Sequence, residues 1–478
     1  MATEIRGGIV TFFTMAYILA LNPLIIGTEP DINGMLISGQ PKFDEAGMVI
    51  GANVGASIAM VAAATALVAG VMTILMGVVG KFPIGLAAGL GLNAMLAYTI
   101  APKMTWPQAM GMIVWEGILI TVLVLTGFRE AVFRAVPQAL RAGISLGIGL
   151  FITFVGLINA GVVRKPLGAP PVELGINGSL LGWPILVFVI GLLVLVVLYA
   201  KKVKGAMLIV IGIGTVVAIM FESLFKIGPN FVSEDTINPT GWMLNVPSLE
   251  NLGFALPDLS LIGRVDMFGA FARGPEYIIG LILLVFGLLL ADFFDTMGTV
   301  VAVGAEGGLL DENGNPPNTR EILLVDSLAA VAGGVGSVSS NTSYIESAAG
   351  VGEGARTGLA SVVTGAAFLL SLFLAPLVNL VPSEAVAPVL VFVGFLMMDQ
   401  VNTVKWNFLE EGVPAFLTMA LMPFTYSISV GIGAGFIFFT VVKTARGKAK
   451  EVHPLMWIVS AAFVIYFVQG AFLGIFAG

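Results

Sequence analysis

The chain has 478 residues, 58% of them hydrophobic and only 11% charged, with a formal charge of −7. Soluble domains carry about 25% charged residues, so this composition excludes an ordinary soluble protein and indicates an all-α polytopic membrane protein. The alternating segments of about ten residues that mark a β-barrel are absent. The lack of cysteine excludes disulfides and thiol chemistry, and the single histidine, His453, excludes a histidine-ligated metal cluster. The composition calls for no cofactor and no metal.

In chain order, apolar runs predict helices over 5–26, 51–79, 84–100, 107–127, 136–160, 182–200 and 205–225. The run LGWPILVFVIGLLVLVVLY (182–200) is typical, being close to the roughly 20 residues that a spanning helix needs. No cleavable signal pattern is expected at the first helix. A polar, proline-bearing stretch, 226–274, is too hydrophilic to span. A second group follows at 276–303, 321–338, 342–354, 357–381, 384–399, 412–424 and 426–443. One more apolar run, 455–475, either crosses outward or lies along the inner surface.

With the N-terminus in the cytoplasm, fifteen lysines and arginines fall inside and seven outside, as the positive-inside rule requires. The stretch KTARGKAK (443–450) then reads as a cytoplasmic anchor rather than a nucleic-acid patch. The expected location is the cell membrane, crossed many times.

Two groups of seven imply a repeat. TFFTM (11–15) is similar to DFFDTM (292–297), VPQALRAGISLGIGLF (136–151) to VPSEAVAPVLVFVGFL (381–396), and GWPILVF (182–188) to GVPAFLT (412–418). Because seven is odd, the copies run in opposite directions, as in the inverted repeats of secondary transporters. The third and tenth segments, PIGLAAGLGLNAMLAYT (83–99) and SVSSNTSYIESAAGVGEG (337–354), are short and interrupted at matching positions. Interrupted helices leave backbone groups to be satisfied at membrane depth and mark a transporter's central site.

Three carboxylates lie well inside this apolar frame: Asp292, Asp295 and Glu346. Charge there costs a few kcal/mol or more, and burial favours the protonated carboxyl. Such a group can carry a proton, accepting hydrogen bonds when ionised and also donating when protonated. Asp292 and Asp295, three residues apart, share roughly one helix face. Glu116, Glu306 and Asp326 read as end-of-helix or loop groups. Asn93 fits a structural amide as well as a ligand contact. Phe12, Phe13, Phe293 and Phe294 are able to stack a base, although aromatic pairs on apolar helices usually face core or lipid. Gly85, Gly89 and Gly91 fit close helix packing. GVGEGARTG (350–358) lacks the Lys-Ser/Thr pair of a phosphate loop. DENGNPP (311–317) has proline where a calcium loop needs glycine, and Ile322 where it needs glutamate.

GLGLNAMLAYT, DFFDTMGT and TSYIESAAGVGEGARTGL together resemble the AzgA-like adenine, guanine and hypoxanthine permeases of the nucleobase–cation symporter superfamily. The resemblance covers nearly the whole chain, through PAFLTMALMPFTYSIS (414–429) and HPLMW (453–457). It implies a uracil-permease-like fold of 14 transmembrane segments in a 7+7 inverted repeat, with broken third and tenth segments containing short extended pieces and an extra C-terminal helix. A core domain would comprise 1–128 and 276–381 and a gate domain 129–225 and 382–443, with an extracellular connection at 226–275 and an apolar helix at 444–478. It implies purine binding by Asp292 and Glu346, with Tyr344, Ile345, Asn93 and Phe12 in contact. Asp292 and Glu346 would couple protons, and Asp295, Asn93, Thr11 and Thr14 would support the site. The implied partners are a purine base, protons and the bilayer, with no nucleic acid; a homodimer is one open arrangement.

Two other functions bear on the same residues. An inorganic-anion exchanger of this fold is disfavoured by acceptor carboxylates at the site. An intramembrane carboxylate hydrolase needs aspartates facing each other from different helices, whereas Asp292 and Asp295 share one turn.

Overall fold

The computed structural model describes residues 1–127, 136–166, 171–233, 236–249, 256–311 and 316–476. Arg129 and Arg134, counted above as cytoplasmic, and residues 312–315 of DENGNPP lie outside the described residues. The chain is mostly helical, and among the described residues ten helical spans are long and apolar enough to cross a membrane.

The first half contains α1 (Ala2–Met15), α2 (Ile18–Ile26), α3 (Gly51–Leu75), β1 (Leu86–Ala88), α4 (Leu90–Met95) and α5 (Trp106–Thr126). It continues through α6 (Gln138–Asn159), β2 (Val163–Arg164), β3 (Glu173–Leu174), α7 (Trp183–Ala200) and α8 (Ala206–Phe225). The connection that follows carries β4 (Phe231–Ser233) and β5 (Thr236–Ile237). The second half contains α9 (Pro275–Glu306), α10 (Thr319–Val335), β6 (Asn341–Ser343), α11 (Ser347–Gly352) and α12 (Gly358–Ser371). It ends with α13 (Ser383–Met397), α14 (Leu409–Thr425), α15 (Ile428–Ala445) and α16 (Pro454–Phe476).

The first expected helix, 5–26, is one span, Ala2–Ile26, with a tight joint between α1 and α2. At the joint Leu19 and Ala20 donate to the carbonyls of Ala16 and Tyr17, three residues back, both at 3.1 Å. This tight joint carries Tyr17.

The two interrupted segments meet. β1 and β6 pair antiparallel, with Leu86 opposite Ser343, Ala87 opposite Thr342 and Ala88 opposite Asn341. All six residues are buried, so the ladder satisfies backbone groups that would otherwise stand unpaired at membrane depth. Each strand runs into a short helix, α4 or α11. The three glycines of the third segment are close-contact positions. A Cβ on Gly85, Gly89 or Gly91 would come within 2.4 Å of Met15 Sδ, 2.8 Å of Thr342 Cγ2 or 2.5 Å of Ile148 Cγ2.

Around this crossing, α1 packs on α11 and α12, α3 on α12, and α5 on α10. Away from it, α6 packs on α13 and α14, α7 and α8 on α13, and α14 on α15. The last helix runs alongside its neighbours. Ser460 of α16 meets Thr440 of α15 at 2.8 Å, and the ring of Phe463 lies tilted beside that of Phe436, 6.3 Å between centroids. A Cβ on Gly433 would touch Phe463 and Phe467, and one on Gly280 of α9 would touch Tyr466. Rising numbers on α16 match falling numbers on α15, so the two helices are antiparallel. KTARGKAK is also tied to the protein itself: Arg446 Nη1 and Lys448 Nζ grip the carboxylate of Glu410 at the start of α14, at 2.5 and 2.6 Å.

Candidate functional site

The ends of β1 and β6 open onto a cavity of about 1480 Å³. Its wall takes Thr14 and Tyr17 from the α1–α2 joint, Gly89–Leu92 from the start of α4, Asp295 and Gly298 from α9, and Thr342–Glu346 from β6 and the turn beyond it. Arg141, Lys202 and Lys204 line it further out, beside Asp399 and Gln400. That mouth is the end which the lysine and arginine count assigns to the cytoplasm. It is crossed by a charged contact: Glu353 pairs with Arg6 at 2.9 Å and also with Lys204 of the α7–α8 turn.

Glu346 is the half-buried carboxylate of the wall. The Tyr17 hydroxyl donates to its Oε1 at 2.6 Å, and the Thr14 hydroxyl lies 3.2 Å from its backbone carbonyl. Tyr344 donates its hydroxyl proton to the Ala88 carbonyl at 2.5 Å, reaching across the ladder. Ile345, 44% exposed, presents an apolar surface to the cavity. Tyr17 went unnoticed in the sequence. The repeat held the signal, because continuing the register of TFFT on DFFD pairs Tyr17 with Gly298, and both line the cavity.

The two aspartates of α9 face different ways. A helix turns about 100° per residue, so Asp292 and Thr296 point together while Asp295 lies to one side. Asp295 is exposed to the cavity. Asp292 is 1% exposed, is absent from the cavity wall, and among the described residues has no hydrogen-bond partner for either carboxylate oxygen. It sits behind β6. Geometrically this reverses the expected division, in which Asp292 faces substrate and Asp295 braces the helices. Thr14 and Asp295, paired by the repeat, both line the cavity; Thr11 and Asp292, also paired, are both buried behind it.

Asn93 is fully buried, off the cavity wall, with both amide atoms unpartnered among the described residues. Phe12 also lies off the wall, with its ring edge-on to Phe368 at 5.1 Å. Glu116 and Asp326, expected near helix ends, instead lie mid-helix on α5 and α10, 0% and 3% exposed. Ser340 donates to Glu116 at 3.2 Å. Thr296 and Ser343 donate to the two oxygens of Asp326, each at 2.7 Å.

On the side away from the charged mouth, aromatic groups join the third segment to α6 and to the α14–α15 turn. Asn159 donates to the Tyr98 hydroxyl at 3.3 Å. The ring of Tyr426 packs edge-on to Tyr98, Phe151 and Phe154 at 5.2–6.1 Å. Tyr426 holds a left-handed backbone, φ 53°, a costly conformation for a bulky residue that persists where the surroundings enforce it.

The chain was compared with known proteins. Guanine/hypoxanthine permease PbuG of Bacillus subtilis (strain 168) is 38% identical over 468 residues, 97% of this chain and 96% of that one. Adenine permease AdeP of Escherichia coli (strain K12) is 34% identical over 469 residues, 98% of this chain and 92% of that one. Among solved structures, the transmembrane domain of the cyanobacterium bicarbonate transporter BicA superposes with a TM-score of 0.56 at 14% identity, covering 91% of this chain and 96% of that one. Murine Solute Carrier 26 family member A9, an anion transporter, gives 0.59 at 10% identity, covering 93% and 69%. These two likenesses concern the fold alone. Residues 46–433 match the family described as Permease family, and with relatives this similar over nearly their whole length the chain belongs to that family, a membrane permease and not an enzyme.

Proposed function

We propose that the chain imports purine nucleobases (adenine, guanine and hypoxanthine) across the cell membrane by proton symport, its N-terminus in the cytoplasm. The single observation that carries the substrate is the cavity wall. Two carboxylates, Glu346 and Asp295, sit beside backbone groups of the α4 start and an apolar surface at Ile345. A flat base with several N–H groups finds acceptors on the carboxylates, and its ring acceptors find backbone N–H groups. The names of the relatives above support the same class. An inorganic anion would be repelled by that wall.

The architecture in this reading is a 7+7 inverted repeat of 14 segments. Residues 1–128 and 276–381 form the core, 129–225 and 382–443 the gate, 226–275 an extracellular connection, and 444–478 an added helix. The cavity, open at the lysine-flanked mouth and closed at Tyr98 and Tyr426, corresponds to the inward-facing half of an alternating-access cycle. Glu346 and Asp295 hold the base, with Tyr344, Ile345 and Thr14 in contact. Asp292 belongs to proton coupling. Asn93, Thr11 and Phe12 hold the surrounding elements.

The test is uptake of radiolabelled adenine, guanine and hypoxanthine into proteoliposomes, acidic outside, with sulfate and bicarbonate as competitors. The proposal expects purine accumulation that collapses with the pH gradient. Accumulation that follows sodium and ignores pH would overturn the coupling, and uptake blocked by anions but not by purines would overturn the substrate.

A further inference from the structure

The short helix α11 has a carboxylate at each end. Glu346 is its N-cap and Glu353 its C-cap, which sets them about 10 Å apart along the axis. α1 runs antiparallel to α11 and is fastened along its length. The Thr14 hydroxyl lies 3.2 Å from the Glu346 carbonyl, and Arg6 Nη2 donates to the Glu353 carbonyl at 3.0 Å. Between these ends, a Cβ on Gly350 would come within 2.4 Å of the Gly7 carbonyl oxygen, and one on Gly7 within 2.8 Å of that of Gly350. Just beyond α11, the carboxylate of Glu4 accepts the backbone N–H groups of Arg356 and Thr357 at 3.0 and 3.2 Å. A helix held at both ends, with close backbone contact between them, moves with α1 as one piece. Glu346 and Glu353 therefore keep a fixed separation.

Glu353 divides its carboxylate between two bodies. Its Oε2 takes Arg6 Nε of α1 at 2.9 Å, and its Oε1 takes Lys204 Nζ. Lys204 belongs to the turn between α7 and α8, helices that pack on α13. The same turn approaches α1 again at Gly205, where φ is +69° and a Cβ would lie 3.4 Å from the carbonyl oxygen of Phe13. Lys202, Lys204 and Gly205 line the cavity whose inner wall holds Glu346. The side chains of Lys204 and Glu353 are 51% and 20% exposed. Solvent keeps such a pair weak, so it can open and re-form.

We propose that Lys204 and Glu353 form a latch at the cytoplasmic mouth. It holds the gate to the α1–α11 unit while the cavity is open on that side, and it parts each time the unit carries Glu346 across. This rests on the core-and-gate reading above. Arg6 keeps Glu353 aimed, and α11 fixes its distance from the substrate carboxylate, so a displacement of Glu346 reaches the latch directly. Glu353 itself lies off the cavity wall. Its effect on transport comes through this contact and not through the base.

The experiment uses the full chain, which has no cysteine, and two independent measurements. In the first, a single cysteine at Phe151 is labelled from outside by an impermeant maleimide, a readout that needs no substrate. Lys204→Met speeds the labelling about two- to five-fold, the range for an exposed pair, and Lys204→Arg leaves it at the starting rate. Asn159→Ala, on the opposite closure, is the control. If Asn159→Ala speeds labelling and Lys204→Met leaves it unchanged or slower, the latch is overturned. If neither variant changes it, the core-and-gate reading falls and the latch with it. In the second measurement, Lys204→Cys and Glu353→Cys are joined by a short bifunctional methanethiosulfonate. Hypoxanthine uptake into proteoliposomes stops on joining and returns with reductant. Full uptake by the joined protein would overturn the latch, since the contact would then never need to part. Lack of uptake before joining would count against the purine reading alone, and the labelling rates would still decide the latch.

Discussion

Tyr17 and Glu346, one from each half of the chain, are joined by a 2.6 Å hydrogen bond at the cavity wall. The phenol comes from the joint between two helices and the carboxylate from the turn before a third, so the bond reports on both halves. A hydrogen bond to a charged partner contributes about 1.5–3 kcal/mol, which corresponds to roughly 10–150-fold in affinity. Tyr17→Phe therefore weakens purine binding by about ten-fold or more, read as Kd by titration of the purified protein. Glu346→Gln abolishes uptake. Unchanged Kd in Tyr17→Phe would separate the pair from binding.

The two aspartates of α9 separate by assay. Asp295→Asn alters a group exposed to the cavity and reduces affinity in both directions of transport. Asp292→Asn alters a group sealed behind β6 and spares binding while accumulation against a gradient disappears. The check is Kd alongside pH-driven uptake for both variants. Equal loss of Kd in both would contradict the different faces they occupy.

Gly298 faces the cavity with nothing within 4 Å of a Cβ built on it. It lies within α9, where glycine costs about 1 kcal/mol relative to alanine. Gly298→Ala is thus expected to raise Tm, whereas Gly298→Leu fills part of the cavity and lowers purine uptake without lowering Tm. Thermal melts and uptake on the same preparations test both. A fall in Tm with Gly298→Leu would place that side chain in packed protein instead.

The closure at Tyr98 and Asn159 can be opened on its own. Asn159→Ala removes the donor to Tyr98 and shifts the balance toward the state open on that side. The chain has no cysteine, so one cysteine introduced at Phe151 becomes a clean reporter. Its labelling from outside speeds up in the Asn159→Ala background. No change in rate would remove the pair from the barrier.

Lys448 and Arg446 pull the carboxyl of Glu410 down from 4.5 to about 2. A depressed value in the folded state means that the contribution is complete above the unfolded value near 4.5 and fades as pH falls through about 2. Lys448→Met lowers Tm by the same amount at pH 7 and pH 5.5, and the gap narrows below pH 4.5. Melts across that range decide it; a gap that grows on acidification would reverse the sign.

Much of this arrangement was legible in the residues. Glycines and a proline in 83–91, and the polar run SVSSNTS, do not suit a continuous apolar helix, and they mark both strands of the ladder. The repeat of TFFT on DFFD indicated which positions correspond. The direction each aspartate faces was not legible. Residues three apart share a face only loosely, and the rotation of α9 is set by contacts with β6 and α10 that are distant in sequence. Asp326 read as a helix-end group because its partners, Thr296 and Ser343, lie 30 and 17 residues away. The placement of α16 rests on the Ser460 and Phe463 contacts, which apolar periodicity does not encode.

The ladder of β1 and β6 also dictates an order of assembly. Tyr344 and Ala88 are 256 residues apart, so β1 is synthesised and inserted long before its partner exists. Until then its backbone N–H and C=O groups face the membrane interior unpaired, a state costing several kcal/mol per group. The first half alone is therefore an unfinished object with an adhesive edge, dependent on water, lipid headgroups or a membrane chaperone until residue 343 arrives. The edge that later frames the cavity is, until its partner strand arrives, the least satisfied part of the inserted chain.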